Sequence, residues 1–179
     1  MKRTKLGQSE IKPQYDHSKV GNFMFELCAK WTEFIIRHKF LYFILSITWG
    51  FMMTFLGWII SLVLLVAKFF SNKISFEKFG WIYCCKAGPD YWGGFEMGLM
   101  FVRDQKSTVQ LSCHEWAHTT QNCLFGLLFP FIVAIPSACR WWVRTIFPKK
   151  NWPAYAAAWF EDAADQCGIY MYNYINKKF

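Results

Sequence analysis

Residues 1–39 open polar and basic, with Lys2, Arg3 and Lys5, and then turn amphipathic. They contain no apolar core followed by a small-residue cleavage site, so no secretory signal is read there. From Phe40 to Ala67 no charged residue occurs. As a helix rising about 1.5 Å per residue, this run exceeds a hydrocarbon core of ~30 Å. The rest of the chain is too short to surround so long an apolar helix with a soluble domain. Residues 40–70 are therefore expected to be a transmembrane helix, or a membrane-embedded hairpin bending near Gly50 or Gly57. Lys30, Arg37 and Lys39 flank the run on one side and Lys68, Lys73 and Lys78 on the other, so basic flanks give no orientation. A second apolar run, 124–138, holds Pro130 and Pro136 and is short for a span. It predicts a shallow or re-entrant segment, with Trp141, Trp142 and Arg144 at headgroup level.

Between the two runs the pattern changes. Gly93-Gly94 signals a turn, and Phe95, Met97, Leu99 and Phe101 interleave with Glu96, Gly98, Met100 and Val102, an imperfect alternation that predicts a strand. Asp104-Gln105-Lys106 turns the chain. Ser107-Thr108-Val109-Gln110 fits a capping box, with Ser at the N-cap and Gln three residues on, so a helix is expected from there through Gln121. After Pro148 and Pro153, residues 154–174 are alanine-rich and aromatic at helical spacing, which predicts a later helix.

Composition changes the picture in two ways. The chain has 179 residues, room for one compact domain plus a membrane element; it is 54% hydrophobic and 21% aromatic, which points towards lipid. Its net charge of +8 suits anionic phospholipid. Nucleic-acid binding is set aside, because the basic residues recur along the chain beside apolar stretches instead of gathering into one stripe. Seven cysteines without a C-x-x-C pair signal neither a disulfide framework nor a zinc ribbon. They read as small buried hydrophobes in a reducing compartment, although the adjacent Cys84-Cys85 pair has no account.

His114-Glu115-Trp116-Ala117-His118 falls inside the first expected helix, where the i,i+4 spacing puts both imidazoles on one face, close enough to share a Zn²⁺ ion. Glu115 beside them is placed to accept a proton from a water attacking a carbonyl. With four His and seven Glu in the chain, shuffled order gives H-E-x-x-H in roughly 0.3% of cases, so coincidence is a weak rival. A catalytic zinc takes a third protein ligand. His17 and His38 lie before the apolar run in a stretch without a metal pattern, which leaves carboxylates as the better candidates. Glu161-Asp162-Ala163-Ala164-Asp165 lies within the later helix, with Glu161 and Asp165 on one face. Glu161 is expected to ligate the metal, and Asp165 to accept the second N–H of a ligand histidine. Ala164 lets the two helices approach.

An H-E-x-x-H helix followed by E-x-x-A-D on a later helix resembles the gluzincin zinc metallopeptidases. Among them it is similar to the membrane-linked group of CAAX prenyl proteases and bacterial heat-shock membrane proteases. The likeness covers about half the chain and omits that group's many-helix membrane chamber. Small bacterial membrane proteins carrying H-E-x-G-H-x-x-Q, an I-P-S element and a late E-x-x-A-D are more similar still. Gln121, Ile135-Pro136-Ser137 and Glu161 to Asp165 match that pattern, and Ala117 stands where glycine is usual. The resemblance implies a peptidase whose strand around 95–102 pairs with an extended substrate. It also implies an oxyanion-stabilising group, for which Tyr155, Tyr170 and Arg140 all remain open.

Taken together, these features predict a mainly α (α+β) chain with membrane-associated helices and a small zincin-like domain, in which a short sheet and two helices surround the metal. An N-terminal segment spans 1–39, the membrane element 40–70 and the catalytic domain 71–179. The expected function is a membrane-associated zinc metallopeptidase, a hydrolase acting on a peptide or protein substrate, with the bilayer as partner. It is placed in a cytoplasmic or inner membrane with the site facing the cytoplasm. Two other readings stay open: a structural zinc in a non-catalytic membrane protein, and a zinc hydrolase of a non-peptide amide or ester bond.

Overall fold

The computed structural model describes residues 10–148 and 151–176. Its elements are six α-helices and four strands: α1 Lys19–Ile35, α2 Lys39–Ile47, α3 Phe51–Phe70, β1 Ser75–Phe79, β2 Ile82–Lys86, β3 Gly94–Met97, β4 Met100–Arg103, α4 Val109–Phe125, α5 Ile135–Ile146 and α6 Trp159–Ile175. The chain is mainly helical with one small mixed sheet, as expected. Strand order is β1-β2-β4-β3; β1 pairs with β2 and β3 with β4 antiparallel, while β2 and β4 run parallel.

The single strand expected before the motif helix is a hairpin. Gly98 adopts φ +68°, and with Leu99 it closes a two-residue turn that glycine at the first central position favours. In the hairpin Phe95 and Met97 share a face with Val102 and Met100, while Phe101 shares the opposite face with Glu96, so the alternation expected along one strand is split at the turn. Ser107 does not cap α4 either. Its hydroxyl and main-chain N–H both bond the Asp104 carboxylate, which also accepts from Gly93 and Lys106 N–H; helix capping lost to a tighter local turn. The helix starts at Val109, with Thr108 at the N-cap, and runs past Gln121 to Phe125.

α4 lies at the centre, touching α1, α2 and α6 on one side and the sheet on the other. Its Trp116 is fully buried and edge-on to Phe79 and Trp81, in a core shared with Ile35 and Tyr42 from the first two helices and Tyr170 and Met171 from α6. The N-terminal residues thus belong to the same core as the motif helix. Asp162 on α6 accepts from Gln14 N–H, Tyr15 N–H and His17 Nε2, tying residues 14–17 across α6.

The apolar run breaks at Thr48–Gly50 into α2 and α3. α2 packs inward, with Tyr42 buried and its hydroxyl bonded to Thr119 at 2.7 Å. α3, of 20 residues, is the one helix among the described residues long and apolar enough to cross a membrane. One side of it grips the β3–β4 hairpin: a Cβ on Gly57 would meet Met97 O at 2.2 Å, and one on Gly98 would meet Thr54 Oγ1 at 2.3 Å. Beyond α4 the chain bends by 115° through a 3₁₀ turn and a π-helical turn at Pro130–Ala134 into α5. Pro130 and Pro136, which lack the N–H that would continue the ladder, flank that bend.

Candidate metal centre

α4 and α6 bring together His114, Glu115, His118, Glu161 and Asp165. A Cβ on Gly168 would lie 2.1 Å from Cys113 O, so the two backbones pass almost in contact there. That approach sets His114 and His118 of α4 opposite Glu161 of α6. His114 Nε2 is 3.0 Å from Glu161 Oε2, His118 Nε2 is 3.5 Å from the same oxygen, and the two Nε2 atoms are 3.0 Å apart. Ligands held ~2.0–2.1 Å from a tetrahedral ion lie ~3.3 Å from one another, so the three atoms already have the spacing of a zinc coordination shell.

The hydrogen bonds behind these atoms fix which nitrogen carries each proton. Asp165 Oδ1 lies 2.8 Å from His114 Nδ1, and a carboxylate there requires an Nδ1–H donor. Gln121 donates its amide N–H to Phe160 O at 2.9 Å, which leaves its Oε1 to accept from His118 Nδ1 at 2.8 Å. With both rings neutral, as metal ligands are, the two Nε2 atoms present lone pairs to each other and to a carboxylate. Burial opposes protonation of His114, but the Asp165 and Glu161 carboxylates outweigh it and hold its pKa well above the ordinary imidazole value, so a proton on His114 Nε2, shared with His118 Nε2 at 3.0 Å, competes with a metal ion for this position. Both oxygens of the fully buried Glu161 also lack an aligned hydrogen-bond donor. Such a set of facing acceptors is costly unless a cation sits among them. His114, His118 and Glu161 form a group that can hold a metal ion.

Glu115 is 4% exposed and turned towards β3. A Cβ on Gly94 would meet its Oε1 at 3.0 Å, so the absence of a side chain there makes room for the carboxylate. Burial, only partly opposed by the two histidines, raises its pKa above the ordinary carboxylate value, in the direction a proton acceptor needs. The residues open onto a cleft of about 680 Å³. One wall is β3 with the preceding Gly93; the facing wall is apolar and comes from the bend and α5, through Phe129, Val133, Trp141 and Trp142.

Some participants had been missed. Gln121 appeared only within a matched pattern, although its i,i+3 spacing from His118 puts it on the same helical edge. Ala164 is fully buried against Ala117 of α4, as expected, and Gly168 adds a further close crossing that the sequence reading did not single out. Tyr155 lines the cleft while Tyr170 is packed in the core, stacked on Tyr174. Arg140 is committed to Tyr155 O and Ala154 O. Arg144, expected at headgroup level with Trp141 and Trp142, lies over the Tyr155 and Trp152 rings and donates to Pro153 O. Glu96, read only as a strand position, is buried with Oε1 unpartnered. No family model, curated protein or solved structure matches this chain.

Proposed function

We propose that this protein is a membrane-associated, zinc-dependent hydrolase that cleaves a peptide bond with Glu115 as general base. The observation that carries the reading is the convergence of two Nε2 atoms and the Glu161 carboxylate, at the mutual spacing of metal ligands, beside a buried carboxylate in an open cleft. A bound zinc ion supplies there an acidified water and a Lewis acid for the carbonyl. Glu115 accepts the proton as water attacks and delivers it to the leaving amine. Asp165 and Gln121 hold the ligand imidazoles in the Nδ1–H tautomer. A structural zinc would close its shell with a fourth protein ligand; the grouped ligands here are three.

The cleft favours an extended peptide over a compact ester. β3 is a sheet edge. Asp104 N–H bonds Gly93 O, and antiparallel pairs alternate, so Phe95 and Met97 bond β4 while Gly94 and Glu96 turn their main-chain N–H and C=O outward. An extended chain can add to that edge across the metal ligands. α3 is the element by which such an enzyme would be held in a bilayer. Absence of any disulfide, with six of seven cysteines buried, suits a site facing a reducing cytoplasm.

The test is elemental mass spectrometry of detergent-purified protein, followed by cleavage of a broad peptide library. The expected outcome is about one zinc per chain, lost in His118→Ala and Glu161→Gln. Glu115→Gln should keep the zinc and lower cleavage by ~10³-fold. Iron in place of zinc, or no metal after reconstitution, would sink the reading.

A further inference from the structure

α5 is amphipathic in the reverse sense to a helix on a water-soluble domain. Its polar residues Ser137, Arg140 and Arg144, spaced i, i+3, i+7, face the protein. Ser137 Oγ lies 2.8 Å from the Tyr155 hydroxyl, which itself donates to Ser137 O; Arg140 donates to Tyr155 O and Ala154 O, and Arg144 to Pro153 O. The opposite stripe, Ile135, Cys139 and Ile146, faces outward, with Trp142 at its edge, where the ring also borders the cleft. Trp142 and Ile146 are each 59% exposed, and α5 buries no residue at all. A helix keeps that orientation only where the outer medium is apolar.

The neighbouring surface indicates what the medium is. The stripe continues through exposed Leu128 and Phe131 at the bend. From there it reaches Trp49, whose ring lies against Gly126 and which leads into α3. The outer face of α3 is apolar from Phe51 to Val66, and exposed Lys68 marks its last turn. A surface continuous with a helix of membrane-spanning length, in a chain of net charge +8, fits an anionic bilayer.

We propose that α5 is an interfacial helix whose outer stripe seats in the headgroup–acyl boundary of the bilayer, and that this seating holds Tyr155 at the metal centre as the hydrogen-bond donor to the developing oxyanion. The second half rests on the hydrolase reading above. Ser137, Arg140 and Arg144 on the inner face of α5 hold the Tyr155 segment by hydrogen bonds and a ring contact, and the phenol lies in the same cleft as His114, Glu115 and His118. Its proton rests on a helical carbonyl, an acceptor it can leave when a charged oxygen forms nearby. Lipid would thus complete the site by fixing the helix that carries Tyr155.

Cys139 makes the seat measurable, since it is exposed and the other six cysteines are buried. The full-length, zinc-loaded protein is spin-labelled at Cys139 and reconstituted in phosphatidylcholine–phosphatidylglycerol vesicles, and collisions with oxygen and with a water-soluble nickel chelate are compared. Oxygen should dominate. Ile146→Glu should move the label towards water and lower kcat towards that of Tyr155→Phe, itself down ~10²-fold with zinc content unchanged. A label with aqueous accessibility, or one broadened by a label on a second copy, overturns the lipid seat. An Ile146→Glu protein that leaves the bilayer yet keeps wild-type kcat, or a fully active Tyr155→Phe, overturns the coupling to Tyr155. A lipid-immersed label on a zinc-loaded protein that cleaves no peptide supports the seat and removes the hydrolase reading.

Discussion

α4 and α5 are joined through one bend, yet they relate to their surroundings in opposite ways. α4 is buried nearly all round although it carries Ser112, Glu115, Thr119, Thr120, Gln121 and Asn122. α5 buries no residue fully, and the stripe it turns outward is isoleucine, cysteine and, at its edge, tryptophan. In α4, hydrogen bonds offset much of the cost of burying polar groups: Thr119 and Thr120 bond back to Trp116 O and Ala117 O, Tyr42 meets Thr119, and Gln121 bridges His118 to Phe160 O. In α5 the outward apolar stripe has no protein partner. On the proposed reading, the polar interior serves a chemistry that needs fixed dipoles, and the apolar exterior serves a lipid solvent.

The comparison breaks most readily at the α4–α6 crossing. In Gly168→Ala the new methyl group would press on Cys113 O at 2.1 Å, and a backbone atom cannot step aside. The helices must separate, costing ~3 kcal/mol or more and spreading the metal ligands. A lowered denaturation midpoint together with lost zinc is expected; a variant retaining both would show that the crossing is not what holds the site.

Beneath α4 lies the buried Glu96, whose pKa burial pushes up from 4.5 to about 8. A carboxyl with a raised folded-state pKa keeps its proton in the folded protein after the unfolded chain has released it. Stability from this group therefore falls as pH rises from about 4.5 to about 8, and is level above that. Glu96→Gln removes that fall while preserving an acceptor for Gly98 N–H. The stability difference between variant and wild type should grow by about 1.4 kcal/mol per pH unit across the window. Parallel curves of the two proteins from pH 5 to 8 would count against a neutral, buried Glu96.

What could be read from the sequence was what depends on helical repeat alone. H-E-x-x-H on one helix, and Glu161 with Asp165 on another, are local spacings, and the geometry joins them. What could not be read depends on which neighbour a face meets. The period of α5 shows two faces but not that Ser137 and Arg144 turn inward, since that requires knowing that Tyr155 lies beneath. Alternation over 95–102 does not reveal the positive φ of Gly98 that folds it into a hairpin. Ser107 had two acceptable roles, and Asp104, three residues earlier, took it. The bond from His17 to Asp162 spans 145 residues, a pairing no local pattern encodes.

A smaller effect sharpens the polar side of the comparison. Asp165 is partly exposed and bonds only the far side of His114, so Asp165→Asn should leave the fold intact. It should weaken metal affinity by ~10–100-fold, because the amide can offer either a donor or an acceptor to Nδ1 and no longer enforces the tautomer. Competition with a zinc chelator would measure the change, and unaltered affinity would mean that the tautomer is set by Glu161 or by the metal.

The smallest effect is expected where a substitution looks most disruptive by composition. Ile135→Asn puts an amide on the outer stripe of α5, at a side chain 51% exposed and without a core neighbour to lose. In detergent its folding cost should stay within ~0.5 kcal/mol, since no cavity forms and no hydrogen bond breaks. The loss should appear instead as weaker partition into anionic vesicles, measured by flotation, because an amide at that depth must be drawn out of lipid. A large fall in the denaturation midpoint would place Ile135 in a protein interior after all. The reversed polarity of α5 would then reflect packing against another polypeptide, and the contrast with α4 would be one of partners instead of solvents.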